Sequence, residues 1–136
     1  MNSPHPAVRF INPPGLPKPA GYSHAVEATG GRTIYISGQV ALDRNRALIG
    51  GNDLSLQARQ VFANLRAALE AAGADFGHVV KLTYYLLDIS QLQVVREVRD
   101  QFVNTHSPPA SSAVEVRRLF RDDLLIEVDA IAVVPG

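Results

Sequence analysis

Apolar residues alternate with polar ones along some stretches of the chain and recur every third or fourth position along others, and each change of period marks a new element. His24 to Thr29 and Arg32 to Ser37 (RTIYIS) are β-rich runs separated by Gly30-Gly31, a pair that tolerates the positive φ angles of a two-residue turn. They predict two antiparallel strands. From Leu54 onward Leu54, Ala58, Val61, Phe62, Leu65 and Leu69 step by threes and fours, with Asp53 or Ser55 as N-cap and Gly73 as stop, which predicts an amphipathic helix. His78 to Leu87 (HVVKLTYYLL), β-branched and aromatic between Gly77 and Asp88, predicts a strand. Ser90 and Gln93 form a capping-box start, after which Leu92, Val95, Val98 and Phe102 share one helical face until Ser107-Pro108-Pro109. Ser112 to Leu119 and Leu124 to Val134 predict two last strands joined through Phe120-Arg121-Asp122-Asp123 as a hairpin. The proline-rich stretch Pro13 to Pro19 predicts an extended loop.

The resulting order, β-β-α-β-α-β-β, places the chain in the α+β class. Its two β-α-β passages imply right-handed crossovers, so both helices fall on one face of a mixed sheet. The last strand is apolar at Leu124, Ile126, Val128, Ala130 and Val134 on one side and carries Leu125, Ile131 and Val133 among acids on the other. With no third helix to cover that second side, the economical cover is another copy of the chain in a closed ring.

Composition sharpens this. With 136 residues the chain is expected to form one domain, 1–136. Charged residues make up 19%, against roughly 25% in typical domains, so the surface is short of charge, as befits an oligomer. Thirteen basic and thirteen acidic residues cancel, leaving no field toward nucleic acid or anionic membrane, and neither partner is expected. The absence of cysteine removes disulfides, thiolate catalysis and cysteine-held metals. The opening MNSPHPAVRF has no basic segment followed by an apolar core, and no run approaches the roughly 18 apolar residues of a membrane span, so a cytoplasmic location is expected.

Familiar catalytic signatures are missing. His5, His24, His78 and His106 are scattered without metal-ligand spacing, Gly30-Gly31 and Gly50-Gly51 fit no phosphate loop, and no GxSxG occurs, so neither metal nor cofactor is expected. The informative feature is Glu127 with Asp129, two carboxylates on one face of an otherwise apolar strand, roughly 6 to 7 Å apart. Two readings are open: a solvated or ion-paired strip, with Arg117 or Arg118 as partner, or a general base that positions water. Ser37-Gly38-Gln39 is either an ordinary strand-ending glycine or a hydroxyl and backbone N–H open to a ligand.

Taken together, GYSHA around Tyr22, YISGQV at 35–40, QARQVFANLRAALEAAG at 57–73, VVKLTYYLLD at 79–88, and PASSAVEVRRL followed by IEVDAIAV resemble the reactive-intermediate-deaminase family, known as RidA or YjgF-like, over nearly the whole chain. The resemblance implies a chorismate-mutase-like fold, a homotrimer, and three small-molecule clefts between neighbouring subunits. It implies hydrolysis of reactive enamines or imines to ammonia and a 2-keto acid. In that scheme Glu127 positions water, Ser37 and Gly38 contact the ligand, Tyr22 forms an aromatic wall, and Ala113, where many members carry cysteine, offers its backbone carbonyl.

One position departs. Active imine deaminases of the family carry, where this chain has Ser111, an arginine that clamps the substrate carboxylate. Losing two charge-assisted hydrogen bonds, at about 1.5 to 3 kcal/mol each, removes roughly two to four decades of affinity. Arg117 lies six residues further on, roughly 20 Å along a strand, and is too far to substitute. Arg96, where active members tend to carry asparagine, is either a replacement cation or an exposed helix residue paired with Asp100. Two functions follow: a hydrolase or deaminase of imine, enamine or related metabolites, with a substrate that need not bear the usual carboxylate, or a noncatalytic metabolite-binding protein on the same fold. A ribonuclease role fits poorly with zero net charge and no basic stripe.

Overall fold

The computed structural model describes residues 7–135; His5 lies outside them. Strand β1 spans Ala7–Ile11, β2 Ala25–Thr29 and β3 Arg32–Gln39; helix α1 spans Leu54–Ala71; β4 is Val79–Leu86, α2 Leu92–Arg99, β5 Ala110–Glu115 and β6 Ile126–Val134. Four strands form a mixed sheet in the order β3-β6-β4-β5, while β1 and β2 form a separate two-stranded sheet. Both helices pack on one another, and α1 packs on β3 and β6.

Three expectations need correction. Gly30 and Gly31 do take φ of 77° and 79°, yet no ladder joins β2 to β3. Instead β2 pairs with β1, a strand hidden in sequence between Pro6 and Pro13, and its register sets Arg9 opposite Glu27 in an ion pair at 3.3 Å. The last two strands are not a hairpin either: β5 lies parallel to β4, and β6 runs antiparallel to both β4 and β3, with β4 between β5 and β6. Local turn signals record where the chain bends but not which strand it then meets. Finally, the second helix is entered through a 3₁₀ turn, Ile89–Gln91, capped by the Asp88 carboxylate, which accepts from the Ser90 N–H; Ser90 donates its hydroxyl to Asp88 rather than capping. That helix ends at Arg99, short of Phe102.

The rest follows the pattern. Asp53 caps α1 by accepting from the Leu56 N–H at 3.1 Å, and Gly73 ends it with φ of +75°. The core lies between helices and sheet: Ala58, Val61, Phe62, Leu65 and Leu69 of α1 meet Leu82, Leu86, Ile126, Val128 and Ala132, all fully or almost fully buried. Phe62 is its centre, with the rings of Phe102, Phe76 and Tyr84 at 5.3, 6.0 and 6.4 Å. Gln57, buried in α1, donates to the Gly51 and Asp123 carbonyls and accepts from the Leu125 N–H, so it fixes the loop that leads into β6. The alternation in β6 holds as far as Ala132: Ile126, Val128, Ala130 and Ala132 are buried, whereas Glu127, Asp129 and Ile131 are only half-buried on the uncovered face; Val133, next along that face, is buried.

Candidate active site

The candidate residues separate into two groups, one on each side of the sheet, because a pleated strand sends neighbouring side chains to opposite faces. Register places Ser111 beside Leu82 and Ala113 beside Tyr84 on the helix side. There they line a cavity of about 250 Å³ with Ala20, Tyr22, Tyr84, Leu92, Val95, Arg96 and Arg99.

The cavity is walled by three segments. The stretch before β2 is laid along the edge of β5 by Ser23, which donates its hydroxyl to the Pro108 carbonyl at 2.6 Å and its N–H to the Pro109 carbonyl. This anchor presents Tyr22, whose ring meets His24 edge-on at 5.2 Å, while His24 is itself bonded to the Pro17 carbonyl. From α2, a spacing of three residues puts Arg96 and Arg99 on one face. Arg99 is 6% exposed, and its guanidinium binds the Asp100 carboxylate through Nε and Nη2, both at 2.9 Å. Asp100 is therefore taken by Arg99, and the Arg96–Asp100 side-chain pair is not formed; Arg96, half-buried, faces the cavity. The Tyr84 hydroxyl is buried with no hydrogen-bond partner among the described residues. Burial pushes its phenol well above the ordinary tyrosine range, opposed by the Arg99 guanidinium.

The second group occupies the uncovered face. In β6, Glu127 and Asp129 stand opposite Tyr85 and Thr83 of β4. Asp129 accepts from the Tyr85 hydroxyl at 3.1 Å, a bond that raises the Tyr85 pKa. Glu127 has no hydrogen bond or ion pair among the described residues, and Arg118 is engaged with Asp122. Partial desolvation, then the neighbouring Asp129 charge, raises the Glu127 carboxyl above the ordinary glutamate range. Gly38 explains how it fits: β3 shifts register between Ile36 and Gln39, and a Cβ at Gly38 would land on the Glu127 carboxylate. Ser37 is exposed on the same strand segment, and Tyr35 nearby is 78% exposed.

Within one chain, then, Tyr22, Arg96, Ser111 and Ala113 come together, as do Gly38 and Glu127, with Ser37 next to Gly38 on β3, and the sheet separates the two sets. Sequence reasoning missed Arg99 and Tyr84. The i, i+3 step from Arg96 was a usable signal for Arg99; nothing in the sequence distinguishes Tyr84 from Tyr85 without the register.

Comparison with known proteins gives this arrangement a family. The model of the family described as Endoribonuclease L-PSP matches residues 16–134. The chain is 36% identical to a RutC family protein of Synechocystis over 130 residues, 94% of this chain and 98% of that one. It is 37% identical to the human 2-iminobutanoate/2-iminopropanoate deaminase over 112 residues, 82% of this chain and 79% of that one. The crystal structure of the Rid family protein YyfB from Yersinia pestis superposes with a TM-score of 0.82 at 38% identity, covering 93% of this chain and 98% of that one. The chain belongs to the RidA/YjgF-like family.

Proposed function

We propose that the protein is a hydrolase that deaminates small enamine or imine metabolites, in clefts formed between copies of the chain in a homotrimer. The observation that carries this reading is Glu127: a carboxylate with no partner among the described residues, in a place cleared by Gly38, on a face without a helical layer. A raised carboxyl pKa suits a group that must accept a proton and return it near neutral pH. Relatives named as 2-iminobutanoate/2-iminopropanoate deaminases, at 37% and 38% identity, support it, and structures of this family are typically oligomeric.

The chemistry asks little of the protein. An enamine first tautomerises to its imine. Water held by Glu127 adds through oxygen to the imine carbon while the carboxylate takes one of its protons. The carboxyl returns that proton to the nitrogen to give the carbinolamine, whose hydroxyl proton then passes by way of the carboxylate to the nitrogen as the C–N bond breaks, so that ammonia leaves and the carbon becomes a ketone. Holding water and imine together supplies most of the acceleration.

The sheet stands between Glu127 and the cavity at Tyr22, so one ligand can meet both groups only where the open face of one copy lies against the cavity edge of the next. Ser111, which offers no strand cation, favours a second reading as a metabolite-binding protein without turnover. Ammonia release from 2-iminobutanoate generated in situ separates them. Release above the spontaneous rate, lost in Glu127→Gln, is the expected result; no release from a folded oligomer that still binds 2-oxobutanoate would favour the second.

A further inference from the structure

We propose that Arg99, at the end of α2, together with the Tyr84 hydroxyl, forms an anchor for the carboxylate of a small organic acid in the cavity that Ser111 and Ala113 leave open. This rests on reading that cavity as one half of the reaction site, and it assigns the substrate an acid group.

Three independent features lead there. A guanidinium this deeply buried needs acceptors, and Asp100 occupies only Nε and Nη2; no hydrogen bond from Nη1 is formed among the described residues. Tyr84 lines the same cavity and is 3% exposed; its buried hydroxyl lies beside the Arg99 guanidinium, which can only donate, and its own proton has no acceptor among the described residues. Such groups are rare in folded proteins and ask for a missing partner. The loop opposite has also given way to the cation: Gly21 has φ of +78°, and a Cβ there would collide with Arg99 Nη2. The chain forgoes a side chain where the guanidinium lies.

Charge and shape choose the ligand. Arg99 and Asp100 cancel, and Arg96 leaves one net positive charge facing the cavity, which matches a monoanion better than phosphate. A planar guanidinium edge matches a planar carboxylate. Leu92, Val95, Ala20 and Ala113 supply an apolar wall for a short alkyl chain, and small side chains at 111 and 113 leave the room that a strand arginine would fill.

Calorimetric titration of the intact protein with 2-oxobutanoate, 2-butanone and inorganic phosphate tests this. The wild type should bind 2-oxobutanoate, and the neutral ketone and phosphate should bind far more weakly. Arg99→Met should weaken 2-oxobutanoate binding about 10- to 100-fold. Tyr84→Phe should weaken it up to about 10-fold while leaving the protein as stable or more so, because it removes an unpaired buried hydroxyl. Arg99→Met combined with Ser111→Arg should recover part of the loss. A role confined to the helix C-terminus would lower stability in Arg99→Met and leave affinity untouched, and that result, or unchanged affinity in Tyr84→Phe, overturns the proposal. Should Arg99→Met fail to fold, Tyr84→Phe decides alone. Ammonia release with a KM unchanged by Arg99→Met would overturn this anchor but not the deaminase; Arg99-dependent binding without any release would do the reverse.

Discussion

The two faces of the central sheet are unfinished in opposite ways. Among the described residues, the cavity on the helix side has a net positive charge from Arg96 and an unsatisfied donor in Tyr84, and on the open side Glu127 has a carboxylate without a counter-charge and a pKa pushed up by partial desolvation. A donor and cation without an acceptor, and a base without a partner, are each unfavourable in an isolated chain. On the proposed reading, the pleat of β4, β5 and β6 distributes one reaction's needs over two surfaces. In the proposed homotrimer the association of copies would bring them to one ligand, and the exposed Tyr35, on the same open face, fits a surface that a second copy would cover.

Substitutions can break each side separately. Gln57→Leu touches neither face but frees the Gly51 and Asp123 carbonyls and the Leu125 N–H; it should cost about 3 kcal/mol, more than a hundredfold in the folding constant, and denaturant titration should show it. Glu127→Gln should lower ammonia release by about 10² or more with the fold intact, read by initial rates and circular dichroism. Gly38→Ala, which pushes a methyl into the Glu127 carboxylate, should reduce turnover by roughly tenfold to a hundredfold, with a smaller effect on 2-oxobutanoate affinity, since the cavity lies on the other face.

The smallest effects are in stability. Glu127 has a folded pKa above its unfolded one, so the folded state binds more protons between those two values and stability declines as pH rises through them. Glu127→Gln should therefore raise Tm by about 1 to 3 °C at pH 7 to 8. The gain should shrink as the pH falls through the folded carboxyl pKa and vanish below the ordinary glutamate value. A Tm gain independent of pH would mean that packing, not charge, separates the variants.

Much of this was legible in sequence, and what was not has a common cause. The period of Leu54 to Leu69 and the alternation in Ile126–Val134 specify a helix and a strand because each burial pattern is local. The partners of β2 and β5 were misread because Gly30-Gly31 and Phe120 to Asp123 signal turns, whereas pairing is decided by strands distant in the chain. Glu127 with Asp129 was visible as two acids in an apolar strand. Tyr84 was not visible: it and Tyr85 differ only in parity, yet one hydroxyl is buried without an acceptor among the described residues and the other bonds Asp129. Arg99 lies one helical turn from Arg96 and takes Asp100 in its place, a competition that the i, i+4 spacing of Arg96 and Asp100 does not reveal.

The claim that the site is completed between copies is tested most directly by mixing two disabled variants. Glu127→Gln and Arg99→Met, each strongly impaired on 2-iminobutanoate held below the wild-type KM, are unfolded together at equal concentration and refolded into mixed oligomers. If each cleft takes Glu127 from one chain and Arg99 from its neighbour, random assembly leaves both residues intact in about one quarter of the clefts, and ammonia release should return to about that fraction of wild type. Mixed oligomers that form but recover no activity beyond that of the two parents would show that both residues act within a single chain.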